Sequence, residues 1–371
     1  MSSVNTRTIE IELITLTPLW TGGVDAGKMD RIRETGILGS LRWWFEILVR
    51  GVGGMVNDPT DDSGLNLDKY NKLSDEQKRD PASLRKAGLC DVSQIFGATN
   101  WKRRFRLEIE SKTTQADKTL VSDKIELGKE YLHDGKPPAW FFSNKPQKGN
   151  IKLKVTPLSP NFTPEIIGGL IQFIADWGAL GARTQMGFGV VAPLHERFDT
   201  RPLYDHLIGL QSSPVDATLP SFKNMFFTKI RQKNGHLFSE TDPFILKYHL
   251  RQLFAQHRGK NSKDEEMEKI MRHFIMGTIG KVAIASKIKM SRAYEDNHTI
   301  RLWGWIPENA KEYCPPWNRE LVISKIYNYL HENYNLQSGD WKVFQHSSVS
   351  SQPKDMGHFL SELLCIEEES K

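Results

Sequence analysis

The 371-residue sequence predicts an α+β protein built of two β-α-β-β-α-β units, each interrupted by insertions. Three observations carry that expectation. Alternating apolar and polar residues mark strands, as where Ile9, Ile11 and Leu13 are set against Glu10 and Glu12. Apolar residues at helical spacing mark two long helices in the first half. A glycine-rich stretch from Gly178 to Gly189 runs from the second of these helices into a short apolar strand.

The elements follow in order. Arg7 to Thr17 is the first strand, ended by Pro18, and Gly22-Gly23 opens a loop that lasts to about Gly36. Ile37 to Arg50 carries Leu38, Leu41, Phe45 and Leu48 on one stripe, and Gly51-Val52-Gly53-Gly54 stops that helix. The polar run 57–86 reads as a surface insertion. Arg103–Glu110 and Ile151–Val155 alternate as strands, separated by a segment rich in Lys, Gly and Pro. Thr163 as cap, Pro164 at the first helical position and Glu165 in the first turn open the helix that runs to Trp177. Phe188–Val191 completes the first set as a strand.

The second half parses as a degenerate copy with a helical insertion. Strands are expected at 222–230, 283–293, 299–306 and 341–344. Helices are expected from Asp242 to about Gln256, from about 264 to Gly277, and over 320–333. The first unit is expected over 1–205 and the second over 215–371, joined near Ser212-Ser213-Pro214. This order is that of a ferredoxin-like, or RNA-recognition-like (RRM-like), fold.

Composition bounds the function. A net charge of +5 permits nucleic acid as a partner, and ten Trp supply faces for cores or for stacking on bases. Cys90, Cys314 and Cys365 are far apart and form no CxxC pair. This argues against a zinc knuckle or a disulfide framework and fits a reducing, cytoplasmic location. The start Met1-Ser2-Ser3-Val4-Asn5 does not read as a signal peptide, and no apolar run reaches membrane-spanning length. Gly277-Thr278-Ile279-Gly280-Lys281 lacks the four-residue gap and the Ser/Thr of a phosphate loop. The eleven His show no HExxH and no paired ligand spacing, so neither metal nor cofactor is expected.

In Gly178-Ala179-Leu180-Gly181-Ala182-Arg183-Thr184-Gln185-Met186-Gly187-Phe188-Gly189 the order helix, glycines, strand reverses that of a dinucleotide-binding turn. Two readings stand side by side. The glycines let a phosphate chain approach the backbone beside Arg183, or they serve a tight connection that needs positive φ.

Two segments together give a resemblance. Thr17-Pro18-Leu19-Trp20-Thr21-Gly22-Gly23, followed by Ile32-Arg33-Glu34 and Gly39-Ser40-Leu41-Arg42-Trp43-Trp44-Phe45, resembles the N-terminal signature of the RAMP superfamily. Gly181-Ala182-Arg183-Thr184 with Gly187-Phe188-Gly189 is similar to that superfamily's glycine-rich loop. In detail both resemble the first-numbered RAMP subunits of type III-B CRISPR (Cmr) effector complexes. Ile95-Phe96-Gly97, Ser286-Lys287-Ile288 and Arg301-Leu302-Trp303-Gly304-Trp305-Ile306-Pro307 extend the likeness over most of the chain. Gln185 and Met186 stand where the family loop is often basic.

The resemblance implies two ferredoxin-like domains in an antiviral ribonucleoprotein, CRISPR RNA and target RNA as ligands, and neighbouring RAMP subunits as partners. The implied subunit binds RNA and is not an enzyme. Alternatives are a metal-independent endoribonuclease that processes CRISPR RNA, with His133, His236 or His273 as the general base, or a purely structural capping scaffold. On the RNA-binding reading the expected contacts begin in the loop after the first strand, at Lys28, Arg31 and Arg33, and at Arg42 of the first helix. Arg104 and Arg106, on one strand face, and the loop residues Gly181, Arg183, Thr184 and Gly187 follow. Lys281, Lys287, Lys289 and Arg292, with no acidic residue among them, are the contacts expected in the second half. Trp43 lies off the apolar stripe, and Trp44 and Phe45 are assigned to the core.

Overall fold

The structure is a computed structural model that describes residues 7–25, 27–58, 64–116, 124–131, 137–141, 146–213, 216–255, 262–278, 283–315, 317–337, 339–349 and 355–366. The first unit runs β1 (Ile9–Thr15), α1 (Glu34–Val52), α2 (Leu67–Asn71), α3 (Pro81–Lys86), α4 (Asp91–Phe96), β2 (Phe105–Gln115), β3 (Lys124–Glu126), β4 (Ala139–Phe141), β5 (Gln147–Pro157), α5 (Glu165–Trp177), β6 (Val191–Pro193) and α6 (Arg201–Ile208). The second runs β7 (Met225–Arg231), α7 (Asp242–Gln252), α8 (Lys263–Met276), β8 (Ile288–Met290), β9 (Thr299–Trp305), α9 (Arg319–Asn333), β10 (Trp341–Val343) and α10 (Met356–Leu364).

The two four-stranded sheets have the same plan, and β3 and β4 form a separate antiparallel pair. One is ordered β2-β5-β1-β6 and the other β10-β7-β9-β8, every pairing antiparallel. In each, the unit's first strand lies between its third and fourth, with the second strand at the edge. This is the ferredoxin-like arrangement, and the second copy has two helices, α7 and α8, between its first and second strands, one more than the pattern needs.

Local chemistry accounts for most boundaries. Gly53 in the left-handed region ends α1, and Ser262 caps α8 by accepting from the Glu265 amide. The strand expected from Phe188 begins only at Val191, because residues 188–190 bond irregularly to the loop after β1. Gly189 N–H donates to the Pro18 carbonyl, while the Val190 carbonyl accepts from Leu16 and Thr17. Sequence periodicity gave no sign of the short helices α4 and α6, nor of α10. The last crosses back to the first unit, where Trp177 Nε1 donates to the Leu363 carbonyl at 2.9 Å. Phe359, Leu360, Leu363 and Leu364 of α10 are all buried there.

The units share a core. Trp44, buried as expected, packs its ring against Phe173 of α5 and against Phe227 and Trp303 of the second sheet at 5.7 to 6.4 Å. Burying a tryptophan here contributes several kcal/mol, ~3–5 by the usual cost of truncation. Arg301 of β9 is buried and donates to the Gly178 carbonyl at 2.8 Å, capping the C-terminus of α5 where the helix dipole favours a cation. The Phe227–Trp303 face of the second sheet is therefore closed against α1 and α5.

Candidate nucleic-acid interface

The open face of the first sheet is where an RNA-recognition fold would stack bases. Here it carries a ladder of charges. Lys152 bonds Glu10 and Glu12 at 2.9 Å, Lys154 bonds Glu110, and His195 meets Glu12 at 3.1 Å. The carboxylates hold the Lys152 ammonium above the ordinary lysine range, and Lys152 in turn pulls Glu12 down. Arg106 lies on this edge, exposed and paired with Glu108 at 2.9 Å. Such self-neutralised ladders leave little net field for a phosphate chain.

Several other sequence-expected contacts are occupied inside the protein. Arg42 donates to the Gly97 carbonyl at 2.7 Å, to Ser93 and to Glu46, tying α1 to α4. Arg104 donates to the Gln94 carbonyl at 2.9 Å, and burial pushes its guanidinium below the usual range. Arg292 is buried against Glu240 at 3.1 Å, and its amide donates to the Gly187 carbonyl. In the loop after β1, Lys28 pairs with Asp25, Arg31 with Glu34 and Arg33 with Asp30, all at exposed or half-exposed sites. Lys281 and His133 lie outside the described residues.

The glycines of the loop serve the tight connection that needs positive φ. Gly181, Gly187 and Gly189 have φ of +78°, +87° and +91°. A Cβ at Gly189 would lie 2.0 Å from the Leu180 carbonyl oxygen, and one at Gly187 would lie 2.6 Å from the Arg292 nitrogen. These glycines are needed for tight packing. The tip nevertheless stays at the surface, with Ala182 exposed and Arg183 to Met186 half-buried. Arg183, itself left-handed at φ +56°, lays its guanidinium over the Trp20 ring.

That tip forms one wall of a cleft of about 490 Å³ between the units. Gly36, Gly39 and Trp43 of α1 continue the wall, Trp43 being 38% exposed. Opposite stand Trp303 and Trp305 of β9 with Lys287 and Lys289 of the β8 edge. Among the described residues no carboxylate lines the cleft. Lys287 donates to the Phe274 carbonyl at 2.8 Å and sits 3.6 Å from the centre of that ring. Burial lowers both ammonium groups to about 8, and for Lys287 the charge of Lys289 adds to it. Cations depressed by burial form a site that an anion would relieve.

Sequence reasoning missed Lys247 of α7, which donates to the Gln185 carbonyl at 3.2 Å and so holds the loop tip from behind. Burial lowers it to about 8 as well. A single lysine in a helix gives no motif by which to find it. Among the described residues no group of His, Cys, Asp or Glu could hold a metal ion, and no helix is long and apolar enough to cross a membrane.

Fold and cleft together define an α+β protein of two ferredoxin-like units that enclose a cationic, tryptophan-lined groove beside a glycine loop. The sequence model of the RAMP superfamily matches residues 12–192, from within β1 through the glycine loop into β6. That stretch, just under half of the chain, is thus similar to the RAMP superfamily. No curated protein matches it. Among solved structures, Cmr1 from Pyrococcus furiosus in its apo form is 13% identical, with a TM-score of 0.45 over 87% of this chain and 97% of that one. A chain of the type III-B Cmr-beta complex bound to cognate target RNA is 12% identical, with a TM-score of 0.41 over 86% and 98%. Cmr6 from Pyrococcus furiosus is 13% identical, with a TM-score of 0.26 over 53% and 100%.

Proposed function

We propose that this chain is a non-catalytic, RNA-binding subunit of a type III-B CRISPR effector complex. On this reading it grips the 3′ region of CRISPR RNA and the target RNA beside it, next to other RAMP subunits. The likeness to the RAMP superfamily supports the assignment to such a complex. One observation carries the RNA reading: Lys287 and Lys289 face the glycine loop across a cleft with no lining carboxylate among the described residues, while Trp43 and Trp305 offer ring faces to bases. Two lysines and a backbone wall grip phosphate without reading sequence, as a subunit must when guides vary.

Filter binding of single-stranded RNA across a salt series tests this. The expected result is a steep fall in affinity with salt that becomes shallower in Lys287→Gln and Lys289→Gln, by about one phosphate contact each. A flat salt response in the wild-type protein sinks the reading.

A further inference from the structure

Behind the glycine-loop tip lies a second cleft, of about 690 Å³, which adjoins the first through Ala285 and Ser286. Its basic side chains are Lys247 and Arg251 of α7 with Arg272 and His273 of α8, the last a neutral imidazole that a bound anion would protonate, and among the described residues no carboxylate lines it. Arg251 is fixed by donating to the Gly277 carbonyl at 2.9 Å, so the end of α8 holds the group in place. After burial, the causes that lower the His273 imidazole are the charges of Arg251, Arg272 and Lys269. Trp140 of β4 and Tyr248 of α7 supply aromatic walls.

An internal phosphodiester carries one negative charge, for which Lys287 and Lys289 already suffice in the first cleft. Four basic side chains converging in the second suit a dianion. A terminal phosphate monoester is one near neutral pH, since its second pKa is about 6. The volume falls within the roughly 300–1,000 Å³ of small-ligand sites and admits a nucleotide with its base against an aromatic wall.

We propose that this second cleft is a subsite for the phosphorylated end of the RNA strand. The inference rests on the RNA-binding reading above and names what lies at the end of that path.

Fluorescence anisotropy with short RNAs of one sequence, bearing a 5′-phosphate, a 3′-phosphate or hydroxyls at both ends, tests it. A phosphate at one end should tighten binding about tenfold over the hydroxyl form. Arg272→Gln with His273→Gln should abolish that gain, bringing the three RNAs to one affinity, whereas Lys287→Gln should weaken all three alike and keep the gain. Calorimetry with 3′-UMP and 5′-UMP supplies an arm free of the strand, in which one nucleotide should bind and uridine should not. Equal affinity for all three RNAs, with salt dependence intact, overturns the terminal subsite and leaves the RNA-binding reading standing. Failure of every RNA to bind while a nucleotide still does overturns the strand reading instead. Thermal melts of each variant confirm that the fold is kept.

Discussion

The guanidinium of Arg183 lies 4.2 Å from the centre of the Trp20 ring, so the only basic residue of the glycine-loop tip is stacked on the loop that follows β1. Stacking of this kind contributes ~0.5–1 kcal/mol at a partly exposed site. Arg183's neighbours Ala182 and Thr184 line the first cleft, so the charge sits beside that cleft.

Arg183→Ala should therefore lower RNA affinity and reduce the salt slope by about one, at a stability cost of no more than ~1 kcal/mol. Arg183→Lys keeps the charge and loses the planar stack. If phosphate contact is the role, the lysine variant restores the salt slope though not the full affinity. A binding series on the two variants decides it.

Gly39 lies on α1 and lines the first cleft, and a Cβ there would meet nothing within 4 Å. Gly39→Phe should thus fill the cleft without touching the core. Replacing a helical glycine also removes part of its backbone-entropy penalty, which is about 0.5–1 kcal/mol relative to alanine. The variant should melt no lower than wild type and yet bind RNA at least tenfold more weakly. Unchanged binding would place the strand elsewhere.

The opposite holds for Gly189, whose Cβ would fall 2.0 Å from the Leu180 carbonyl oxygen at a φ of +91°. Gly189→Ala should cost at least ~2 kcal/mol in backbone strain and displaced packing. Chemical denaturation reads this directly. The Gly39 and Gly189 variants together separate the loop's structural role from the cleft's binding role.

The strand order and the glycine loop were legible because alternation, helical spacing and glycine are properties of neighbouring residues. The β-α-β-β-α-β pattern of both halves follows from Ile9, Ile11, Leu13 and their counterparts, and the structure has that order twice. The destination of each cation was not legible. Arg42, Arg104 and Arg292 sit in basic or signature segments but donate to the Gly97 carbonyl, the Gln94 carbonyl and Glu240. Those partners are set by tertiary packing, which spacing does not encode. Lys247, Arg251, Arg272 and His273 meet only because α7 and α8 fold against each other, and nothing in either helix alone announces the meeting.

The cleft lysines make both stability and binding depend on pH, with signs that can be worked out. Lys287 and Lys289 titrate near 8 in the folded protein because burial disfavours their charge, whereas an unfolded lysine titrates near ~10.4. Below pH ~8 both states hold the protons, and the cost of burying the charges is fully present. Between there and ~10.4 the unfolded chain binds more protons, so stability should rise with pH. Cys314, raised to about 11 by burial, contributes the opposite slope, so the comparison is made as a difference. Lys287→Met should be more stable than wild type at pH 7, with the advantage shrinking by pH 9.5. A phosphate bound in the cleft raises both lysines, so RNA binding at pH 8.5 should take up protons and affinity should fall as pH rises through 8. Calorimetry in buffers of different ionisation enthalpy measures that uptake, and a value of zero would mean that the strand does not lie against Lys287 and Lys289.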